Sequence, residues 1–342
     1  MGRDAAIPIP RMDREFGENG FESINSGYNA VFKPNRMTVG LVAPLAAYHH
    51  HPVPSMTDHL QRTVMAETLG FPAIWLRDVP FNVPSFGDAG QIYDPFVYLG
   101  ALAVATERIA LGVASIILPL RHPAHVAKAA ASADVLSNGR LILGVASGDR
   151  PEEFPALNMP FDSRGERFRQ SYEYMRHAHS PGSFEGNDFG RPGRGMDLLP
   201  QPAGTKLPLL ITGSSQQSVE WTARHGDGWM IYPRNLSLQR QVISEYRERV
   251  QQNERESKPV MQPLYLDLAS DDSSPLQPIH LGFRSGVSHL LEYLHALQGI
   301  GVNHVALNLR FNRADINSTL HRLAEEVLPH FQHQHDHSGE TP

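Results

Sequence analysis

Eight apolar runs of strand length, each followed by a helix-forming stretch, dominate the pattern of this sequence. Each run is almost continuously hydrophobic, which is typical of strands that are buried on both faces of a parallel sheet. Helices rather than tight turns connect the runs, which indicates repeated strand–helix units. The eight runs are Thr38–Leu45, Pro72–Leu76, Arg108–Leu118, Leu141–Ser147, Leu207–Thr212, Gly228–Pro233, Val260–Ala269 and His304–Arg310.

Eight such units close most economically into an α/β fold of the (β/α)8, or TIM, barrel type. An open doubly wound sheet is the alternative, but it would be expected to carry a glycine-rich dinucleotide-binding loop near its start, and the nearest match, Gly144–Gly148, is too short. We predict an N-terminal extension at 1–36 and a single barrel domain at 37–330 with an insertion after the fourth strand. A histidine-rich tail at 331–342 is predicted to be disordered.

The charge balance and the absence of cysteine limit the possible functions. The formal net charge is -6, so the chain lacks the basic excess of proteins that bind nucleic acids or anionic membranes. Without cysteine, disulfides and thiolate sites are excluded. The first residues contain no apolar segment of signal-peptide length, and no later run is long enough to span a bilayer, so we expect a cytoplasmic protein.

Hydroxyl side chains follow the fifth predicted strand at the start of a helix. Gly213 ends that strand, and Ser214, Ser215 and Ser218 come directly after it. Reacting groups of a (β/α)8 barrel lie at the carboxyl ends of its strands. Hydroxyls at this position either cap the helix or bind a phosphate at the positive end of the helix dipole.

Two candidate catalytic residues follow the first and second predicted strands. Asp78 is the only carboxylate in the turn 77–80 and is either a catalytic base or the partner of Arg77 or Arg121 in an ion pair. His49 lies in the run "YHHHP", where alternation would place His49 and His51 on one side and His50 on the other. A metal site would need a further ligand, and no H-E-x-x-H pattern occurs, so we predict that His49 contacts substrate and that no metal is bound.

Two segments of the chain resemble the bacterial luciferase-like family of flavin-dependent monooxygenases. The first is Thr106–Asn158, with "LPLRHP", "DVLSNGR" and "LGVASGD" in one run, and the second is Leu207–Trp229. The resemblance implies a barrel that holds reduced FMN, or in some branches the deazaflavin F420, at its carboxyl-terminal mouth. It also implies that Ser214, Ser215 and Ser218 bind the flavin phosphate.

The resemblance further implies a cis peptide between Ala114 and Ser115 beneath the flavin ring, and it also shows where this chain departs from the luciferases. Those enzymes have a histidine after strand two, where this chain has Arg77 and Asp78, so Asp78 is a candidate to hydrogen-bond the flavin edge as well as a candidate base. The luciferase α chain has a cysteine and a phosphate-binding arginine after strand four, where this chain has Ala146 and Ser147. We expect Ser147 to donate to the phosphate in place of that arginine.

The sequence therefore predicts a monooxygenase that uses reduced FMN and O2 to oxidise a small organic substrate. No nicotinamide-binding fingerprint occurs, so a separate flavin reductase is expected to supply the reduced cofactor. The alternatives are hydride transfer with F420, a non-catalytic flavin-binding protein, and a cofactor-free enzyme that acts on a phosphorylated substrate. The alanine-rich helix after the third strand, together with the helix before it, predicts the centre of a homodimer interface.

Overall fold

The structure is a computed structural model that describes residues 20–179, 185–190, 193, 195–253 and 256–331. Eight parallel strands form a closed TIM barrel, as predicted, because the last of them pairs with both the first and the seventh. The strands are β1 (Thr38–Val42), β2 (Ala73–Leu76), β3 (Ala110–Ile117), β4 (Leu141–Ala146), β5 (Leu209–Thr212), β6 (Gly228–Met230), β7 (Val260–Leu268), β8 (Gln277–Ile279), β9 (Gly282–Ser285) and β10 (His304–Asn308), of which β8 and β9 lie outside the barrel.

Helices surround the barrel and connect its strands. They are α1 (Ser26–Val31), α2 (His59–Thr68), α3 (Pro95–Ala105), α4 (Pro123–Leu136), α5 (Glu153–Ala156), α6 (Arg164–His177), α7 (Val219–His225), α8 (Leu236–Asn253), α9 (Val287–Gly299) and α10 (Ile316–Glu326). The start of α3 follows local rules, because the Asp94 carboxylate accepts from the backbone N–H groups of Phe96 and Val97 and Pro95 occupies the first helical position. Within the described ranges, no helix combines the length and the hydropathy needed to cross a bilayer.

Large side chains fill the barrel interior opposite glycines. Trp75 and His304 are fully buried, and the Trp75 indole nitrogen donates to Nε2 of His304 at 2.8 Å. A Cβ atom at Gly112 would lie 2.2 Å from the Trp75 ring, and one at Gly40 would lie 2.8 Å from the His304 ring. The interior therefore requires glycine at both positions, and it is a packed core rather than a channel.

The described part of the N-terminal extension closes the amino-terminal end of the barrel. Tyr28, Val31 and Phe32 are buried and pack into one hydrophobic cluster with Trp75 and other interior residues. The Asn25 side chain caps α1 by accepting from the Tyr28 N–H. Residues 20–36 are thus packed on the domain. Residues 1–19 and 332–342, which include nearly all of the predicted tail, lie outside the described residues.

The insertion after β4 is present, as predicted. It contains the predicted helix, α6, and also the short helix α5, which was not predicted. The structure further differs from the predictions at a hairpin and at the first strand. The β8–β9 hairpin was missed because Gln277 and Pro278 are exposed and interrupt any apolar run; it pairs with β7 through β9. The first strand ends at Val42, short of the predicted Leu45, and is followed by a cis Ala43–Pro44 peptide.

Candidate active site

The hydroxyl residues after β5 occupy a turn that precedes α7. The helix begins at Val219, so the prediction that Ser214 and Ser215 lie in its first turn is wrong. Ser218 is the N-cap, because its Oγ accepts from the Trp221 N–H at 3.1 Å. The capping alternative is therefore correct for Ser218, while Ser214 and Ser215 stand in the turn itself.

Hydrogen bonds to the barrel determine the shape of this turn. Ser215 is buried with a φ of 45°, and its hydroxyl donates to the Thr212 carbonyl at 2.7 Å. Gly213 has a φ of 56°, and its carbonyl accepts from the Trp229 indole N–H at 2.7 Å. Only Ser214 among these hydroxyl residues is both exposed and outside a cap.

The start of α6 lies against the same turn. The Gln217 side chain donates to the Gly165 carbonyl at 2.9 Å. Arg164, the first residue of α6, stacks on the Phe161 ring, and its Nε is buried without a hydrogen-bond partner. Since Val145 pairs with Ile211 in the β4–β5 register, Ser147 falls beside Gly213. The start of the fourteen-residue helix α6, with the unpartnered Arg164 Nε, thus lies against the turn of 213–218, and a helix N-terminus beside a cation suits an anion.

The Ala114–Ser115 peptide of β3 is cis, which confirms the expectation drawn from the family resemblance. The β3–β4 register shifts between Val113 and Ile116, at the position of this pair. Ser115 is buried and Ala114 is half-buried beside the barrel-interior cluster. Both side chains are small, so neither projects far from the backbone of β3.

Asp78 forms an ion pair with Arg121. Its carboxylate accepts from Arg121 Nε at 3.0 Å and Nη2 at 2.7 Å, and also from the Ile117 N–H at 3.1 Å. Nη2 of Arg121 also donates a hydrogen bond to the Asp94 carboxylate at 2.9 Å. Of the alternatives for Asp78, the structure shows the ion pair with Arg121. This carboxylate ties the end of β2 to the segment after β3.

His49 lies on the surface in a turn. It is exposed, and its ring lies 3.8 Å from the ring of the adjacent His50, so the predicted alternation of these side chains is wrong. The neighbouring Tyr48 is buried instead, and its hydroxyl points into the barrel mouth. Across the described part of the chain, no group of three or more histidine and carboxylate side chains is arranged to hold a metal ion.

Asp88, which no sequence pattern singled out, lies at the centre of a polar cluster over the mouth. One carboxylate oxygen accepts from Tyr48 Oη at 3.0 Å and from the Gly90 N–H at 2.8 Å. The other accepts from Arg77 Nη1 at 2.6 Å and Tyr265 Oη at 3.3 Å, and it lies 3.2 Å from Arg310 Nη1. Burial opposes ionisation of this carboxyl, but Arg77, the Gly90 N–H and Arg310 together outweigh burial and lower the Asp88 pKa.

Arg150 and Glu153, after β4, complete this cluster. Arg150 Nη2 donates to the Asp88 carbonyl at 3.1 Å, and its guanidinium lies over the Phe86 ring. The Arg150 Nη1 and Glu153 Oε1 atoms are 3.9 Å apart, and both are buried without a hydrogen-bond partner. Burial raises the pKa of Glu153 to about 7. The cluster therefore contains three guanidiniums, those of Arg77, Arg150 and Arg310, and two buried carboxyl groups, those of Asp88 and Glu153.

Comparison with known proteins agrees with this architecture. Residues 37–327 match the family model described as luciferase-like monooxygenase. The chain belongs to this family. The barrel, the cis peptide of β3 and the turn after β5 are thus found in a luciferase-like protein that has Arg77 and Asp78 after its second strand.

Relatives of this luciferase-like chain include two kinds of enzyme. It is 31% identical over 179 residues to the F420-dependent glucose-6-phosphate dehydrogenase of Beutenbergia cavernae, which covers 51% of this chain and 52% of that protein. It is 30% identical over 143 residues to the alkanal monooxygenase beta chain of Photorhabdus luminescens, which covers 41% and 44%. The chain spans about half the length of these relatives. A crystal structure of a monooxygenase from Streptomyces bottropensis superimposes with a TM-score of 0.71 at 20% identity, covering 86% of this chain and all of that one.

Proposed function

We propose that this luciferase-like oxidoreductase is a monooxygenase that uses reduced FMN and O2 to oxidise a small organic substrate. The observation that carries the proposal is that one barrel has both an anion position at the start of α6, where Arg164 Nε is buried without a partner beside the turn of 213–218, and a pair of small residues, Ala114 and Ser115, near the carboxyl end of β3. A phosphate at the first position and a flat ring at the second match the two ends of FMN. We also propose a cytoplasmic location, where a separate reductase would supply the reduced flavin.

The residues present fit a flavin phosphate. Arg164 Nε is a buried donor without a partner, and a phosphate oxygen would supply its acceptor. α6 is fourteen residues long, and Ser163 makes no side-chain cap at its start. The Arg164 N–H donates to the Phe161 carbonyl, but the positive end of the helix dipole remains available to an anion. Ser214 and Ser147 would add hydroxyl donors.

When bound, reduced flavin supplies the electrons that activate oxygen. The protein would contribute position and shielding. Ala114 and Ser115 would orient the ring, and the Asp88 cluster would cover the mouth and limit the entry of water. Asp88 and Asp78 are each held by arginine in the structure, so neither is a ready proton acceptor. We therefore propose that Asp78 positions the segment after β3 rather than acting as the base.

Arg164→Met should weaken FMN binding at least about tenfold, because it removes a charge-assisted hydrogen bond to the phosphate. Binding is measured from the quenching of flavin fluorescence. Riboflavin, which lacks the phosphate, should bind both proteins equally. Arg240→Met, which removes an exposed arginine of α8, serves as the charge-matched control. An unchanged FMN dissociation constant in Arg164→Met would contradict the phosphate position.

Oxygen consumption distinguishes FMN from F420. The purified protein is mixed anaerobically with reduced FMN or reduced F420, and oxygen is then admitted. We expect oxygen uptake coupled to substrate oxidation with FMN only. Substrate-dependent oxidation of F420 without oxygen uptake would instead establish hydride transfer, and binding of either cofactor without turnover would favour a non-catalytic role.

We also propose that the chain forms a homodimer through α3 and α4. The outward face of α3 is apolar, with Val97 and Val104 73% and 77% exposed, and Leu136 of α4 is 59% exposed. Contiguous apolar surface of this kind marks an interaction site. Gly100 and Ala101 between the valines would let a second helix approach closely.

Val97→Glu combined with Val104→Glu should convert this dimer into a monomer, because it would bury charges in the interface. Light scattering during size-exclusion chromatography at micromolar concentration measures the change. Leu238→Glu, on a similarly accessible site of α8, is the control and should stay dimeric. A monomeric wild-type protein would refute the proposal.

A further inference from the structure

In the polar cluster at the barrel mouth, three arginines face only two buried carboxyl groups, those of Asp88 and Glu153. Arg77, Arg150 and Arg310 lie at or just beyond the carboxyl ends of β2, β4 and β10, and their side chains are 21%, 6% and 11% exposed. Buried charges are normally paired, because removing them from water is costly. The acidic groups around the three arginines therefore determine whether every guanidinium has a partner within the protein.

Asp88 balances only one of the three guanidiniums. Its two oxygens already have five neighbouring donors, from two tyrosines, two arginines and one backbone N–H. A carboxylate has about four lone-pair positions, so Asp88 has no capacity left. Arg150 reaches only the Asp88 carbonyl, and its Nη1 has no partner.

Glu153 is the only other buried carboxyl beside Arg150, and it balances the charge incompletely. The distance of 3.9 Å to Arg150 Nη1 is too long for a hydrogen bond. Burial, with smaller contributions from Asp78 and Asp149, raises its pKa to about 7 against the opposing effect of Arg150. Asp149 is exposed, and Asp78 is already paired with Arg121. Near neutral pH, more than one positive charge therefore remains without a full partner.

The unpartnered atoms of the cluster include two guanidinium nitrogens, which are hydrogen-bond donors. Arg310 Nε and Arg150 Nη1 are both buried without an acceptor. Each of these nitrogens can donate one charge-assisted hydrogen bond to a carboxylate oxygen. Asp88 itself shows that a carboxylate fits among these arginines, and the hydroxyls of Tyr48 and Tyr265 point to the same place.

The position of the cluster separates it from the proposed flavin-phosphate site. Around the barrel, β2 and β10 flank β1, whereas the phosphate position follows β5, four strands away from β1 in either direction. A ring that spans the mouth from the turn of 213–218 would leave the β10–β1–β2 side for the substrate. Arg150 alone extends from β4 toward this side.

We infer that the guanidiniums of Arg77, Arg150 and Arg310 form a subsite for the carboxylate of an organic-acid substrate. This inference rests on the proposed function, because it assigns the substrate class of the same mouth. The acid group would complete the partners of Arg150 and Arg310, and the remainder of the molecule would lie toward Ala114 and Ser115.

The probes are benzoate and hexanoate, with benzamide and hexanamide as uncharged counterparts of the same shape. Isothermal titration calorimetry with the FMN-loaded protein should show binding of the acids and at least about tenfold weaker binding of the amides. Arg150→Met should weaken acid binding at least about tenfold, and Arg240→Met should leave it unchanged. Amides that bind as well as acids would overturn the inference.

Glu153→Gln supplies a test in the opposite direction. It removes the carboxyl that competes for Arg150, so acids should bind more tightly at about pH 8. In the wild-type protein, acid binding should weaken from about pH 6 to about pH 8 as Glu153 ionises, and Glu153→Gln should lose this dependence. A variant that merely disturbs folding would not bind acids more tightly. The Glu153→Gln measurement therefore tests the carboxylate subsite even if Arg150→Met does not fold. An unchanged pH profile in Glu153→Gln would overturn the inference.

Comparing FMN with riboflavin separates the two possible sources of the anion. If Arg150→Met weakens FMN but not riboflavin, the arginines hold the cofactor phosphate and the substrate assignment is wrong, while the flavin proposal stands. If the protein without cofactor binds the acids but binds neither FMN nor F420, the proposed function fails and the carboxylate subsite remains.

Discussion

Replacing Arg140 with methionine should destabilise the barrel by at least about 4 kcal/mol, or prevent its folding, because the side chain makes five hydrogen bonds in a buried setting. Its guanidinium donates to the carbonyls of Ala103, Thr106, Ile109 and Ser137 and to the Thr106 hydroxyl, at 2.7–2.9 Å. Methionine would leave these buried acceptors without donors, and each such loss costs about 1–3 kcal/mol.

The position of Arg140 explains why this loss should affect the whole domain. The side chain extends from the residue before β4 to the last turn of α3 and the residue before β3, so it ties one helix end to two adjacent strands. A cation at the end of α3 also opposes the negative end of the helix dipole. Burial lowers the pKa of Arg140, and no acidic side chain is among its hydrogen-bond partners to oppose this effect.

Urea-induced unfolding followed by circular dichroism measures this prediction. Arg108→Met is the control: the Arg108 side chain is 69% exposed, so its loss should change the free energy of unfolding by less than about 0.5 kcal/mol. Arg140→Lys keeps the positive charge but not the planar guanidinium, so its loss of unfolding free energy should lie between those of Arg108→Met and Arg140→Met. A change below about 1 kcal/mol in Arg140→Met would show that the five bonds contribute little net stability.

Arg140 also shows what the sequence resemblance contains. It lies in "DVLSNGR", part of the segment by which the family is recognised, but the structure gives this segment a structural role. Asp134 of the same segment accepts from the Asn25 side chain and from the Ala203 N–H, so it joins the N-terminal extension to the loop before β5. Much of the recognisable sequence therefore specifies the barrel rather than its chemistry.

The barrel itself was predictable because its signals are local. Buried parallel strands are continuously apolar, and helix ends such as Asp94–Pro95 follow capping rules that act over a few residues. The cis peptide at Ala114–Ser115 was expected only from the family resemblance, since nothing in its two small side chains indicates such a bond.

The mouth was not predictable in the same way, because its contacts join distant parts of the chain. Asp88 lies in a loop without periodicity, and its partners Tyr48, Tyr265 and Arg310 are 40, 177 and 222 residues away, so no spacing rule could connect them. Whether Asp78 is a free carboxylate or part of an ion pair depended on Arg121, which lies 43 residues later in the chain. Local pattern identified His49, but the turn after Tyr48 carries its side chain to the surface.

A second large effect concerns acid stability and the fully buried His304. Its Nε2 accepts from the Trp75 indole N–H at 2.8 Å. The Thr38 hydroxyl gives its proton to the Val31 carbonyl, so the 2.6 Å contact between Thr38 Oγ1 and His304 Nδ1 requires a proton on Nδ1. The ring is therefore held as one neutral tautomer. A second proton on Nε2 would oppose the Trp75 donor.

Burial lowers the pKa of His304 to about 3, well below the ordinary histidine value. Because the unfolded state then binds more protons than the folded state, the contribution of His304 is present in full above about pH 6.5 and is lost progressively as the pH falls toward about 3. Each unit of pKa difference corresponds to about 1.4 kcal/mol, so the loss between about pH 7 and about pH 4 should be on the order of 3 kcal/mol.

His304→Gln isolates this effect from the buried carboxylates, which also weaken the fold in acid. Glutamine does not titrate, so the stability difference between wild type and His304→Gln should be largest near pH 7 and shrink by about 3 kcal/mol near pH 4, in urea unfolding at each pH. His50→Gln, at an exposed position, should show a nearly constant difference from wild type. If the stability difference between wild type and His304→Gln did not depend on pH, His304 would accept a second proton as readily in the folded barrel as in the unfolded chain. In that case the Trp75 hydrogen bond would not hold the ring in its neutral form.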